Sequence, residues 1–265
     1  MSDGQPVWQG SRLLYMIRWM IFFWSLFPLR GLAQDTTALI QKAAKSEAAF
    51  REEEALSEYK AVLKVRPQQL TALIRSSDLS CRIGNRQSDR DKKIGYFKAG
   101  YQFAQTAYRL DSTNSEVNVV MAFSLGRLVL IQTNKERVTA AGDIKRYAGN
   151  AIRYDPSNFK AYHILGRWHY EVSRLNFFER VFARWFYGSL PEASLAEAIK
   201  DYEKSMALRP DFMLNYLELA KALHRDGQDK RAIGLLRHME KLPDEMYDDR
   251  QVREEGRKLL KELAP

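Results

Sequence analysis

Tyr162-His163-Ile164-Leu165-Gly166 and Tyr216-Leu217-Glu218-Leu219-Ala220 open two copies of one unit. Ala55-x3-Tyr59…Pro67 and Ala198-x3-Tyr202…Pro210 close two copies of it. The residue types have a mechanical reading. Small Gly166 and Ala220 let the first helix of a pair lie close to the second. Tyr59 and Tyr202 fill the gap between neighbouring pairs. Each closing proline stops the second helix, because it has no N–H to donate and disfavours helical backbone in the residue before it.

This register is the tetratricopeptide pattern. It predicts an all-α helical solenoid of about five helix pairs, with repeat units near 36–67, 70–112, 115–156, 159–210 and 213–243 and a cap over 248–263. Positions Pro67, Ser112, Pro156 and Pro210 are equivalent and lie 45, 44 and 54 residues apart. A plain repeat has about 34 residues. Longer helices and loops over Gly84–Asp91 and Asn134–Gly142 account for two of the excesses. Asn or Ser at the junctions, in Asp111-Ser112-Thr113-Asn114 and Asp155-Pro156-Ser157-Asn158, can cap the helix that follows. The first pair has no obvious breaker at its inner turn. In the final amphipathic helix, Val252, Leu259, Leu260 and Leu263 form the apolar side, and a polar outer face would suit a cap.

The third excess is residues 176–190, NFFERVFARWFYGSL. Phe177, Phe178, Val181, Phe182, Trp185 and Phe186 fall on one broad helix face. This face either folds back as extra core or forms a lip for lipid or a partner, through Phe178, Phe182, Trp185 and Phe186 beside arginines.

The chain has 265 residues, 42 Lys and Arg against 33 Asp and Glu, a net charge of +9 and one cysteine. The positive balance fits an acidic partner or solvated helix faces. The densest basic run, Arg82 to Lys98, reads as an exposed loop and the start of a helix. A single thiol excludes internal disulfides and thiolate zinc sites, and Cys81 reads as half-buried and inert. No nucleotide, hydrolase or metalloprotease motif occurs, and no two of the four histidines are four residues apart. No enzyme, metal or cofactor is therefore expected. Net charge alone is a weak argument for nucleic acid.

Residues 1–33 read as a leader. Trp19–Leu29 is an uninterrupted apolar run of 11 residues, short of the ~20 that span a bilayer. Arg12 and Arg18 precede it as a positive flank, and Gly31-Leu32-Ala33 supplies small residues for cleavage near Ala33. The expectation is export to the periplasm or beyond. A retained membrane anchor and a mitochondrial leader are the alternatives.

Function is expected on the concave face, which first helices line through positions 2, 5, 9 and 12 of each repeat. These include Ile74, Asp78 and Cys81, then Glu116, Val119 and Phe123, then Lys160, His163, Arg167 and Tyr170, and finally Leu217, Lys221 and His224. Lys160, Arg167 and Lys221 around Tyr170 form a basic cradle for carboxylates or phosphates, with Arg167 capable of bidentate contact.

From Ala161 onward a narrower likeness emerges. Leu165-Gly166-Arg167-Trp168-His169-Tyr170-Glu171-Val172, the aromatic insertion, Ser189-Leu190-Pro191-Glu192-Ala193-Ser194, and Leu242-Pro243 with its acidic connector follow in order. Over roughly 100 residues the chain resembles the regulator of microtubule dynamics family. The resemblance implies a tetratricopeptide domain without enzymatic activity. It implies partners such as microtubules or a membrane phospholipid, since animal members associate with microtubules or sit at mitochondria, and one tethers membranes. Taken together, the reading is a scaffold that binds a protein or peptide in a basic groove. The alternative is a module that binds anionic lipid or tethers membranes through the aromatic insertion.

Overall fold

The computed structural model describes residues 28–131, 134–175 and 193–264. The leader up to residue 27 and the whole aromatic insertion, with Phe178, Phe182, Trp185 and Phe186, lie outside the described residues. Among the described residues, eleven α-helices run in chain order: α1 Pro28–Ala48, α2 Glu52–Val65, α3 Leu70–Arg86, α4 Arg90–Leu110, α5 Ser115–Leu128, α6 Asn134–Tyr154, α7 Phe159–Ser173, α8 Leu195–Leu208, α9 Met213–Arg225, α10 Asp229–Met239 and α11 Asp249–Leu263. A short 3-10 turn, Val129–Ile131, joins α5 to α6. No strand occurs among the described residues. Helices pack in consecutive pairs, and the first helices α3, α5, α7 and α9 also touch one another in series. Helix α11 closes the end by packing on both α9 and α10. The same contacts recur from step to step, so each pair is held chiefly by its neighbours.

The local chemistry repeats with the fold. Asn114 accepts from the Val117 N–H at 3.1 Å and Asn158 from the Ala161 N–H at 3.4 Å, so both cap the helices they precede. Asp111 and Asp155 hold the turns before them by accepting from Thr113 and Ser157. At Gly166 an added Cβ would lie 2.9 Å from the Tyr202 ring, and Tyr202 is fully buried. The missing side chain is what lets α7 and α8 approach. The extra length of the second and third units is largely helix: α4 and α6 each have 21 residues. Leu259, Leu260 and Leu263 pack with buried Val252 onto the core of the last two pairs, as their spacing predicts.

The inner turn of the first pair has an unexpected maker. The Phe50 N–H donates to the Glu47 carbonyl and the Arg51 N–H to the Ser46 carbonyl, both at 2.9 Å, with Phe50 at φ 59°. The last pair turns by the same bonds, from Gly227 to His224 and from Gln228 to Leu223, with Gly227 at φ 76°. This closure needs a left-handed residue after the helix, which glycine adopts most readily. Phe50 fills that place against its side chain's preference, so no breaker is legible there.

The basic run at Arg82 is not a loop. Arg82 and Arg86 belong to α3, the connection is confined to 87–89, and Asp89 caps α4. Both arginines bind Glu52, which is 1% exposed in the first turn of α2. Burial pushes the Glu52 carboxyl upward, and Arg82 and Arg86 oppose that push. Arg75 grips Glu47 through two of its nitrogens. Arg86 reaches further: its Nη1 donates to Asp248 Oδ1 at 3.0 Å, and its guanidinium lies 4.2 Å over the Tyr247 ring. Residues 86 and 248 are 162 apart in sequence. The solenoid thus curves until its last connector meets the second repeat.

Phe50→Gly is expected to raise stability by about 1 kcal/mol in urea unfolding, since glycine carries no left-handed penalty. Gly227→Ala should lower it by a similar amount. Arg86→Ala leaves Glu52 with one partner and Asp248 with none. It is expected to cost about 2–4 kcal/mol and to enlarge the radius of gyration in small-angle scattering.

Candidate functional site

The first helices bring their inward positions onto one surface because α3, α5, α7, α9 and α11 contact in order. Most charges there are paired. Lys160 meets Glu116 at 2.8 Å. Lys221 meets Glu218 at 3.0 Å and Glu255 of α11 at 3.6 Å. Asp78 lies 3.5 Å from Arg82 and 3.9 Å from Arg75. Burial would raise the Asp78 carboxyl, but Arg82 and Arg75 outweigh it and hold it below the usual range. Burial acts likewise on Glu218, and Arg167 with Lys221 holds it down.

The predicted groove residues divide into two groups. Lys160, Arg167, Tyr170 and Lys221 are partly exposed along α7 and α9. Tyr170 lies under two arginines, with Arg225 5.5 Å and Arg174 5.7 Å from its ring. His224 is exposed but turns to the end of α9, where its Nδ1 pairs with Asp229 at 2.7 Å. His163 and Leu217 are not groove residues. Leu217 is fully buried and His163 is 7% exposed. His163 bonds Asn215 through Nδ1 at 3.0 Å and packs edge-on against Phe212. Position 5 of these repeats lies where the next pair covers it, so a partner on the inner face cannot reach it. Val119 and Cys81 are buried as well. Cys81 is fully buried rather than half-buried, and burial pushes its thiol up to about 12. Asn118 spends its amide on the Ser112 and Asn114 carbonyls, at 2.8 and 2.9 Å, inside the turn.

Arg127 is the residue that position counting misses. It sits in the last turn of α5, one place beyond position 12. Its Nη1 donates to Asn85 Oδ1 of α3 at 3.2 Å, and its guanidinium lies 5.1 Å from the Phe123 ring. Burial, then repulsion from Arg167, lowers its pKa to about 10. Asp248 and Glu218 act on it only weakly by comparison. Arg127 therefore ties the end of α5 to α3. Among the described residues no group of His, Cys, Asp and Glu is arranged to hold a metal, and no helix is long and apolar enough to cross a membrane.

His163 gives the site a pH signature. An unfolded histidine titrates near 6.5, and burial lowers His163 to about 4. Between those values the unfolded chain holds the extra proton, so this contribution is full above 6.5 and is lost as pH falls through 4. In urea unfolding, His163→Gln should lose about 2 kcal/mol less than the unaltered chain between pH 7 and pH 4.5.

Comparison with known proteins agrees with this architecture. The sequence profile described as Regulator of microtubule dynamics protein 1-3 matches residues 39–264. Regulator of microtubule dynamics protein 3 of Xenopus laevis is 28% identical over 197 residues, which is 74% of this chain and 41% of that protein. Regulator of microtubule dynamics protein 1 of Caenorhabditis elegans is 26% identical over 161 residues, covering 61% and 71%. Against the mouse protein 3 the chain spans 34% of the relative's length, so it corresponds to a part of some relatives. Among solved structures, a thermophilic tetratricopeptide protein of Thermus thermophilus superposes with a TM-score of 0.62 at 15% identity, covering 85% of this chain and 98% of that one. The pilF protein of Pseudomonas aeruginosa gives 0.53 at 16% identity, covering 89% and 94%. At such identities these two speak for the fold alone. With the profile covering nearly all of the described solenoid, the chain belongs to the regulator of microtubule dynamics family.

Proposed function

We propose that this chain is a non-enzymatic scaffold that binds a protein or peptide segment along the inner face of α3, α5, α7 and α9. The observation that carries the reading is the series contact of these first helices. It supports a shared surface for partly exposed Lys160, Arg167, Tyr170 and Lys221, and the ion pairs of Lys160 with Glu116 and of Lys221 with Glu218 and Glu255 would fix the directions of the two lysines. A preset surface binds with less ordering cost than a loose one. The relatives' names describe regulation of microtubule dynamics, and tubulin is accordingly one protein partner to test. The leader is part of the same proposal. Cleavage after Ala33 would leave α1 from Gln34, with Leu39, Ile40 and Ala43 still packed on α2. The partner would then lie outside the cytoplasm.

The test is photo-cross-linking in the source cell, with a cross-linking amino acid at Tyr170 or Phe123 on the inner face and at Lys98 on the outside. Discrete protein adducts from Tyr170 and Phe123, absent from Lys98, are expected. Adducts from Lys98 alone would remove the inner face from consideration. Lipid adducts alone from the inner face would replace the protein partner. Intact mass on the same material is expected to begin at Gln34.

A further inference from the structure

The first helices and the cap form a closed circuit. Helix α3 touches α5, α5 touches α7, α7 touches α9 and α9 touches α11. The connector that enters α11 then returns to the end of α3. Asp248 Oδ1 accepts from Arg86 Nη1 at 3.0 Å, and the Tyr247 ring lies 4.2 Å from the same guanidinium. Among the described residues, every hydrogen bond, ion pair and ring contact that joins residues 240–264 to α1–α5 belongs to Arg86. Four junctions of the circuit are packed helix pairs. The fifth rests on one side chain.

Both sides of that junction are firm without it. Arg86 keeps Glu52 on Nη2 at 2.6 Å. The connector is built onto α11: Asp249 Oδ2 accepts from the Glu245 and Met246 N–H groups at 2.7 Å, and Arg253 holds Asp244 at 2.6 Å and the Leu242 carbonyl at 2.7 Å. Asp248 stands at the start of α11, yet its side chain caps no N–H there. Water reaches the tip, with Tyr247 48% exposed and the Asp248 side chain 29%. Ion pairs and cation–ring contacts open to water are weak, and a solenoid can rotate a little at each repeat. Tyr247 and Asp248 can thus leave Arg86 while both sides stay folded. A partner segment whose chain continues in both directions reaches the inside of a closed circuit only by opening it, and the weakest junction opens first.

We propose that Tyr247 and Asp248 form a latch on Arg86 whose release admits a partner segment to the inner face. This rests on the inner-face reading above and adds its control. Arg86 is the fixed half of the latch, because Glu52 holds it from behind, and the connector is the half that moves.

The experiment is a double electron–electron resonance distance measurement on the full chain, with nitroxide labels on Glu54→Cys and Gln251→Cys. Both positions are exposed, and buried Cys81 stays unlabelled. One short distance should dominate at low salt, and a second, longer distance should gain population as salt rises. Asp248→Asn and Tyr247→Ala, separately or together, should raise the longer population about fivefold while the circular dichroism stays that of the unaltered chain. Arg250→Gln, on the same turn but away from Arg86, should change nothing. A single distance that neither salt nor the latch variants alter overturns the latch. Photo-cross-linking from Tyr170 and Phe123 then joins opening to admission, with a higher adduct yield expected for Asp248→Asn. Equal adduct yields from the unaltered chain and Asp248→Asn overturn the latch and leave the inner-face reading standing. Absence of inner-face adducts from both chains overturns that reading and the admission of a partner with it.

Discussion

The contact of Arg86 with Glu52, Asp248 and Tyr247 is the constraint on which the global shape depends. In a solenoid each helix pair sees only its neighbours, so small rotations add without any check from distant residues. Arg86 supplies that check. It ties the start of the second helix, the end of the third and the connector before the last into one charged cluster. Pairing of this kind contributes little net stability, because desolvation offsets most of the attraction. What it contributes is specificity of closure, since Glu52 is buried at 1% exposure and is met there by two guanidinia.

That closure gives the inner face its character. The repeats alone would make a curved surface with scattered charges. Once the curve is set, Arg127 of α5 is held by Asn85 of α3 and lies against the Phe123 ring. The buried row one layer down is the counterpart. His163 fills the seam between α7 and α9 with buried Asn215 and Tyr202 and half-buried Phe212. The face that could meet a partner and the seam that holds the repeats together are thus one helix position apart. Membership of the microtubule-regulator family fits this division: the fold supplies a framework, and particular side chains on its inner face supply any specificity.

Much of this was legible in the chain itself. Gly166 opposite Tyr202, the prolines, and the junction residues Asn114 and Asn158 all act locally, within one repeat unit. Their roles are determined by backbone geometry and hydrogen bonding that any such sequence must satisfy. The apolar positions of α11 belong to the same class. Phe50 does not, because it holds a left-handed turn that its residue type disfavours, and only the bonds at Ser46 and Glu47 reveal it.

The site divides along the same line. Sequence by itself determined the fold, because it follows from a 3.6-residue period and from repeat spacing, and the family likeness, because it rests on the order of the motifs from Leu165 to Pro243. It read Arg167, Tyr170 and Lys221 as groove residues, which are partly exposed, and His163 and Leu217 beside them, which are buried. Tertiary structure alone decided which inward positions the next pair covers, that Arg82 and Arg86 are buried or half-buried rather than exposed, and that Arg127 reaches Asn85 of the preceding repeat. The physical reason is range. Periodicity says which way a side chain leaves its helix. What it meets there depends on the accumulated rotation of every repeat between residue 86 and residue 248.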